Sequence, residues 1–156
     1  MSFTPKYLRK AFRLAEKNID KGGGPFGAVI VKDGAVIASG VNSVTCNNDP
    51  TAHAEIVAIR KAAKKLQSFD LSSCEIYSSC EPCPMCLAAI YWARIDAVYY
   101  GSTKNDAQAI GFDDSFIYEE LKLDNADRKI KMQQYLSDEA LAAFTAWDNK
   151  TDKEVY

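Results

Sequence analysis

The chain has 156 residues, of which 47% are hydrophobic and 26% charged, and its formal net charge is −2. These values are typical of one globular domain with a hydrophobic core. The acidic balance disfavours a sequence-independent nucleic-acid-binding protein, which needs a basic face to neutralise phosphates. No apolar run reaches membrane-spanning length, and the amphipathic start of the chain is unlike a secretion signal. We therefore expect a cytoplasmic protein that binds neither membrane nor nucleic acid.

Hydrophobic periodicity predicts helices that alternate with short strands. In chain order these are helix 5–20, strands 26–31 and 35–39, helix 50–66, strand 74–78, helix 84–94, strand 97–101, helix 115–121, strand 129–134 and helix 137–149. Asp33-Gly34 lies between the first two strands and indicates a hairpin, whereas Asp49-Pro50 is typical of a helix start after a polar loop.

This order of elements predicts a fold in the α/β class. We expect a three-layer α/β/α sandwich with a mixed sheet of about five strands, antiparallel at the hairpin and parallel after it. We expect a single domain over residues 1–156, with a helical extension and a tail from about residue 137.

A cluster of cysteines and the only histidine indicate a metal site. Cys83 and Cys86 form a Cys-x-x-Cys pair, Cys80 lies three residues upstream, and His53 is followed by Glu55 after one residue. The Cys-x-x-Cys pair alone and the histidine alone are both weak signals. In the order His-x-Glu then Pro-Cys-x-x-Cys, however, they form the signature of zinc deaminases. We therefore predict one zinc ion per subunit, bound by His53, Cys83 and Cys86, with a fourth position open for water.

The alternative is a closed structural zinc site with Cys80 as the fourth ligand. Two observations weigh against it. Cys80 precedes a proline at the end of a predicted strand, so its side chain need not face the metal. Glu55 beside the histidine has no use in a structural site, whereas activation of water needs a nearby carboxylate. We therefore interpret Glu55 as the catalytic base and Cys80 as a bystander.

The positions of His53 and Glu55 raise a geometric difficulty. Residues i and i+2 of a regular helix point about 200° apart. If both belonged to the predicted helix 50–66, they would not share one face. We therefore expect them to approach opposite sides of the open metal position, with His53 in a frayed first turn.

Several motifs together resemble the cytidine-deaminase-like superfamily and, within it, the small bacterial guanine deaminases, over nearly the whole chain. They lie at residues 23–29 (GGPFGAV), 48–55 (NDPTAHAE), 82–87 (PCPMCL), 90–94 (IYWAR) and 111–118 (GFDDSFIY). One departure is Ala88, where that family often has glycine; a methyl group there does not block a helix. The resemblance implies hydrolytic deamination of guanine to xanthine and ammonia, with a zinc-activated water and Glu55 as the proton shuttle.

Four residues are candidates for substrate binding. The resemblance favours Asp114 over Asp113 as the carboxylate that accepts from guanine N–H groups, although either could instead cap the helix that follows. Asn42 matches a purine-contacting position of the superfamily, or is a turn residue. Phe26 offers a ring face to the base, or belongs to the core. Tyr156 ends a tail that is either disordered or, as in the family, closes over the pocket.

Alternative functions remain open at this point. A tRNA adenosine deaminase shares the zinc motif, but the acidic C-terminal third disfavours a polynucleotide partner. A deaminase of guanosine or cytosine is harder to exclude, because the sequence does not report pocket volume. A zinc module without enzymatic activity is disfavoured by Glu55. The expected partners are a small purine base and a second copy of the chain in a homodimer, either with or without exchanged C-terminal segments.

Overall fold

A computed structural model describes residues 3–155 and divides the chain into two compact units, Met1–Ser115 and Phe116–Tyr156. The elements are α1 (Pro5–Ile19), β1 (Gly27–Lys32), β2 (Ala35–Val41), α2 (Val44–Asn47), α3 (Ala54–Leu66), β3 (Cys74–Cys80), α4 (Pro84–Trp92), β4 (Ala97–Ser102), α5 (Lys104–Ala109), α6 (Ser115–Glu120) and α7 (Ser137–Asp148).

The first unit is built on a four-stranded mixed sheet. The strand order is β2-β1-β3-β4, with β1 antiparallel to β2 and to β3, and with β3 parallel to β4. Helix α1 packs on one face of this sheet, and α3 and α4 pack on the other. The predicted three-layer α/β/α sandwich with a mixed sheet is therefore confirmed.

Strand β1 shows why the sheet is covered on both faces. Successive residues of a strand point to opposite faces. Ala28 and Ile30 accordingly join the core beneath α3 and α4, whereas Val29 and Val31 join the core beneath α1. The run of apolar residues from Ala28 to Val31 is typical of a strand in a sheet buried between two helical layers.

A close contact between β2 and α3 brings the start of α3 to the sheet. A Cβ atom on Gly40 would lie 2.2 Å from the carbonyl oxygen of Ala54 and 2.6 Å from the amide nitrogen of Ala58. No real side chain tolerates such distances, so only glycine allows this approach. The first turn of α3, which carries Glu55, is thereby held directly against the sheet.

The start of the second long helix differs from the prediction. We expected it to begin at Pro50 with Asp49 as its N-cap, but α3 begins at Ala54 and its N-cap is His53. Asp49 Oδ1 instead accepts hydrogen bonds from the Thr51 backbone N–H at 2.8 Å and from the Thr51 hydroxyl at 2.7 Å. The aspartate therefore closes a local turn, an alternative to helix capping that is available to the same short side chain.

Three other elements differ from expectation. The predicted loop 45–49 contains most of the short helix α2, and α5 was not predicted although Thr103 and Asp106 form a capping box at its start. The predicted strand 129–134 is irregular, and the Lys129 backbone N–H donates to Glu120 Oε2 at 2.8 Å. The described residues therefore contain four strands and not five.

The second unit, taken by itself, contains nearly all of α6 and the whole of α7. Helix α7 buries none of its residues. Large apolar side chains are exposed along this unit, at Leu121, Ile130, Tyr135, Leu136, Leu141, Phe144 and Trp147. Among the described helices of the chain, none has the length and apolar character needed to cross a membrane.

Candidate active site

The metal-ligand candidates lie where two helices begin. His53 is the N-cap of α3 and Cys83 is the N-cap of α4, and both have extended backbone conformations. Pro84 follows Cys83 at the first helical position, where proline costs no hydrogen bond. Two helix N-termini therefore meet at one point, and their positive dipole ends favour deprotonated sulfur ligands there.

The spacing of the three ligand atoms fits a zinc ion. His53 Nδ1 lies 3.5 Å from Cys83 Sγ and 3.6 Å from Cys86 Sγ, and the three ligand atoms all lie within 4.8 Å of one another. Tetrahedral zinc with Zn–S of about 2.3 Å and Zn–N of about 2.0–2.1 Å separates sulfur from nitrogen by about 3.5 Å. One imidazole and two thiols at these distances form the donor set of a zinc site that keeps one position open.

The two thiols of this trio differ in acidity. Hydrogen bonds with Cys86 and with His53 hold the pKa of Cys83 well below its usual range, against the opposing effect of burial. The same interaction with Cys83, together with burial, raises the pKa of Cys86. The hydrogen bond to Cys83 is also the main cause that raises the pKa of His53. The cluster thus already stabilises one thiolate, the form of cysteine that binds metal.

Cys80 does not belong to the cluster of metal ligands. Its thiol is directed to the carbonyl oxygen of Thr103 at 3.5 Å, and burial raises its pKa to about 11. Among the described residues, the groups that could hold a metal ion comprise His53, Cys83 and Cys86 without Cys80. Cys80 instead lines a cavity of about 260 Å³ next to Phe26.

Glu55 is buried against the ligand cluster. Only 6% of the residue is exposed, and its carboxyl group forms hydrogen bonds with Ser78 and with the side chain of Cys86. Burial raises the pKa of Glu55, and the hydrogen bond from Ser78 opposes this effect in part. A buried carboxylate with a raised pKa is a stronger proton acceptor than an exposed one.

The later start of α3 removes the geometric difficulty between His53 and Glu55. His53 lies outside the helix with φ −68° and ψ 157°, so the angular step of a regular helix does not apply to it. We expected His53 in a frayed first turn, and this is wrong: it precedes the first turn in extended conformation. Both side chains therefore reach the same cluster, His53 through Nδ1 and Glu55 beside Cys86.

Asp113 and Asp114 are adjacent in sequence but differ in their contacts. Asp113 Oδ1 accepts from the Ser115 backbone N–H at 2.9 Å and from the Ser115 hydroxyl, at the start of α6. Asp114 is half-buried, and burial followed by the negative charge of Cys83 raises its pKa. The interpretation as a residue at a helix start therefore fits Asp113. Asp114 is the one of the two whose pKa is raised by the charge of Cys83.

The other predicted substrate residues have different surroundings. Asn42 is 7% exposed, and its Oδ1 accepts from the Val44 backbone N–H at 3.3 Å. The ring of Phe26 packs edge-on against Phe112, with the ring centroids 4.9 Å apart. Tyr156 lies outside the described residues.

Sequence reasoning missed Ser78 and gave Phe112 no role. Ser78 lies on β3 and is 1% exposed, so the hydroxyl that bonds to Glu55 is fully removed from water. Ser78 is one of three buried polar residues of β3, with Glu75 and Ser79, and such residues in a strand indicate buried hydrogen-bond partners but not which ones. Phe112 belongs to a motif that was recognised, and its contact with Phe26 required the tertiary structure.

The fold and the donor set define a zinc-dependent deaminase domain. Residues 1–102 match the family described as the cytidine and deoxycytidylate deaminase zinc-binding region. The chain belongs to this family.

Individual relatives narrow the comparison. The chain is 54% identical to guanine deaminase of Bacillus subtilis over 151 aligned residues. The alignment covers 96% of this chain and 97% of the relative. A crystal structure of guanine deaminase from Bacillus subtilis superposes with a TM-score of 0.96 at 52% identity over 99% of both chains. A tRNA-specific adenosine deaminase of Aquifex aeolicus is 43% identical over 96 residues, 62% of this chain and 64% of that protein.

Proposed function

We propose that this chain is a guanine deaminase, which hydrolyses guanine to xanthine and ammonia. The observation that carries the proposal is the combination of the His53, Cys83 and Cys86 donor set with the buried Glu55. The similarity to a bacterial guanine deaminase supports the same substrate because it extends over nearly the whole chain.

The mechanism assigns metal binding and proton transfer to different residues. His53, Cys83 and Cys86 hold zinc, which when bound lowers the pKa of a water molecule toward neutrality and polarises it. Glu55 would accept one proton from the water held there and pass it to a ring nitrogen of guanine as the water oxygen bonds to C2. It would then pass the remaining proton of that oxygen to the amino group, so that the C2–N bond breaks, ammonia leaves and xanthine remains. Burial raises the pKa of Glu55, which favours its uptake of these protons. Proton transfer of this kind contributes about 10²–10⁴-fold to the rate.

Recognition of the purine is assigned to the residues around the cluster. Guanine presents ring N–H donors, and the Asp114 carboxylate is the acceptor that we propose for them. Asn42 supplies an amide that can both donate and accept. Phe26 packs its ring against a face of the base, and its edge-on contact with Phe112 holds that ring in place. Tyr156 at the chain terminus is proposed to close over the bound base.

One absorbance assay tests the proposal. The zinc-loaded protein is incubated separately with guanine, guanosine, adenine, cytosine and a tRNA, and the ultraviolet spectrum is followed. We expect turnover of guanine. Turnover of guanosine but not guanine would contradict guanine as the substrate. Turnover of the tRNA alone would favour a tRNA adenosine deaminase, which the chain also resembles.

We also propose that the enzyme is a cytoplasmic homodimer with exchanged C-terminal segments. The proposal is supported by the many large apolar side chains that are exposed in the second unit, since exposed apolar surface is often covered by another protein chain. On α4, Tyr91 and Trp92 are 77% and 67% exposed and offer further apolar surface. A cytoplasmic location is supported by the metal-binding thiols, which must stay reduced. We propose that residues 1–156 form a single deaminase domain with a helical extension and a tail from about residue 137.

The tail and its exchange are tested in two steps. Removal of residues 155–156 is expected to preserve zinc content but to impair turnover, and unchanged kinetics would contradict a role in closing the pocket. The truncated chain is then mixed, by co-expression, with the full-length Glu55→Gln variant. If tails are exchanged, a mixed dimer combines the intact Glu55 of one copy with the intact tail of the other, and activity returns. Sedimentation measures the dimer, and an inactive mixed dimer would contradict exchange.

A further inference from the structure

A buried asparagine near the end of α1 connects the backbone segments of two of the four predicted substrate-binding residues, Phe26 and Asn42. Asn18 is 5% exposed, and its side-chain nitrogen Nδ2 donates to the carbonyl oxygen of Gly24 at 2.9 Å and to that of Asn42 at 2.7 Å. Both partners are acceptors, so only the amide nitrogen of this side chain can serve them. Asn18 lies outside the metal cluster and the proton-transfer machinery.

The two carbonyl groups belong to backbone that positions Phe26 and Asn42. The Gly24 carbonyl also accepts from the Phe26 backbone N–H at 2.8 Å, and the Asn42 backbone N–H donates to the Phe26 carbonyl at 3.1 Å. Asn18, the loop before β1 and the end of β2 thus form one hydrogen-bonded network. A shift of Asn18 would move the backbone of both purine contacts together.

The packing around Gly23 shows how tightly this network is closed. A Cβ atom on Gly23 would lie 2.2 Å from Asn18 Nδ2 and 2.6 Å from the carbonyl oxygen of Asn42. No side chain fits there without displacing Asn18 or the end of β2. The loop before β1 is therefore packed closely against the residue after β2, and the two hydrogen bonds of Asn18 fix this arrangement.

We propose that Asn18 is a positioning residue that sets the distance between Phe26 and Asn42 and thereby the affinity for the purine. It does so without touching substrate or metal. The inference rests on the proposed function, because it takes Phe26 and Asn42 as the residues that contact the base. A residue with this role affects substrate binding, whereas Glu55 and the zinc ligands affect the chemical step.

The test compares steady-state kinetics of Asn18→Asp with the wild type. Aspartate has nearly the same shape but cannot donate, and it places carboxylate oxygens against two carbonyl groups. We expect KM for guanine to rise roughly 10-fold to 100-fold while kcat changes by less than about threefold. Zinc content, measured on the same preparation, is expected to stay at the wild-type value.

Two further variants make the result specific. Gly23→Ala disturbs the same contact from the loop side and is expected to raise KM in the same way. Thr45→Val is the matched control: it removes a hydrogen bond of 2.9 Å from the Thr45 hydroxyl to the Gly22 carbonyl of the same loop, in which neither Gly24 nor Asn42 takes part. Its KM is expected to equal that of the wild type.

The outcomes are distinct. An unchanged KM in folded, zinc-loaded Asn18→Asp overturns the proposal, as does a parallel loss of kcat and zinc. If neither Asn18→Asp nor Gly23→Ala folds, the hydrogen-bonded network serves only the stability of the fold, and the proposal is overturned as well. A wild type inactive on guanine refutes the proposed function instead, and the comparison is then made with whichever amine of the panel is deaminated.

Discussion

The hydroxyl of Ser78 donates a hydrogen bond to Oε1 of Glu55 across 2.7 Å, and both side chains are buried. Ser78 lies at the centre of the sheet on β3, and Glu55 lies in the first turn of α3. The sheet thus holds one oxygen of the proposed catalytic carboxylate in place. A bond of this kind restricts the rotamer of Glu55, and a pre-positioned base needs less reorganisation during proton transfer.

Replacement of Ser78 by alanine should lower kcat. We expect kcat to fall roughly tenfold, with KM and zinc content nearly unchanged. The variant frees the side chain of Glu55 to rotate but leaves the residues that bind substrate and metal in place. Ser79→Ala is the matched control. The Ser79 hydroxyl accepts from the Gly27 backbone N–H at 3.0 Å and makes no bond to Glu55, so its kcat should stay near the wild-type value. Equal effects of both substitutions would contradict the role of Ser78.

A double variant separates this role from a general loss of structure. Glu55→Gln alone should lower kcat by about 10²–10⁴-fold while zinc remains bound. If Ser78 acts through the Glu55 carboxylate, adding Ser78→Ala to Glu55→Gln should cause little further loss. A loss of the full tenfold in the double variant would show that the serine acts elsewhere.

The unequal roles of the cysteines predict different metal contents. Cys86→Ala should abolish stoichiometric zinc binding, because it leaves only two of the three protein ligands. Cys80→Ala should retain one zinc per chain and most of the activity, since its thiol contacts the Thr103 carbonyl and not the cluster. Elemental analysis of the purified variants measures both. Loss of zinc from Cys80→Ala would instead favour a closed structural site in which Cys80 is the fourth ligand.

The neighbouring aspartates offer a test of substrate recognition. Asp114→Asn should lower kcat/KM for guanine by roughly 10-fold to 100-fold, because a half-buried carboxylate acceptor is replaced by a group that also presents donors. Asp113→Asn alters the turn at Ser115, where hydrogen bonds to the Ser115 hydroxyl and backbone N–H lower the pKa of Asp113, and a weaker hydrogen bond with Gln108. It should leave kcat/KM near the wild-type value. The reverse order of effects would transfer the recognition role to Asp113.

Tyr77 predicts a change of stability at alkaline pH that does not involve the metal site. Its hydroxyl donates to Glu75 Oε2 at 2.7 Å, and burial followed by this bond raises its pKa from 10.0 to about 12. The folded state then holds the phenolic proton more tightly than the unfolded state, so this contribution is complete below pH 10 and is lost as the pH rises to about 12. Denaturant unfolding between these pH values should show a smaller decline for Tyr77→Phe than for the wild type. Identical declines would contradict the shift.

The zinc ligands and Glu55 were recognisable before any fold was considered. Metal binding requires particular donor atoms at short spacing, so His53, Cys83 and Cys86 stand out in a linear pattern. Most strands and helices of the first unit were predicted equally well, because burial on one or both faces leaves a periodic signal. The start of α3 was misplaced, because Asp49-Pro50 suits a turn as well as a helix start.

The sequence by itself determined the class of chemistry: which atoms hold the metal, and that a carboxylate lies beside them. Only the tertiary structure decided how that chemistry is oriented. It placed His53 before the helix, separated the contacts of Asp113 from those of Asp114, and paired Ser78 with Glu55 and Asn18 with Asn42, across 23 and 24 residues. The physical reason is that a hydrogen bond between buried groups forms only when packing across the layers sets the distance between donor and acceptor to within a few tenths of an ångström. Such a bond leaves no periodic trace along the chain.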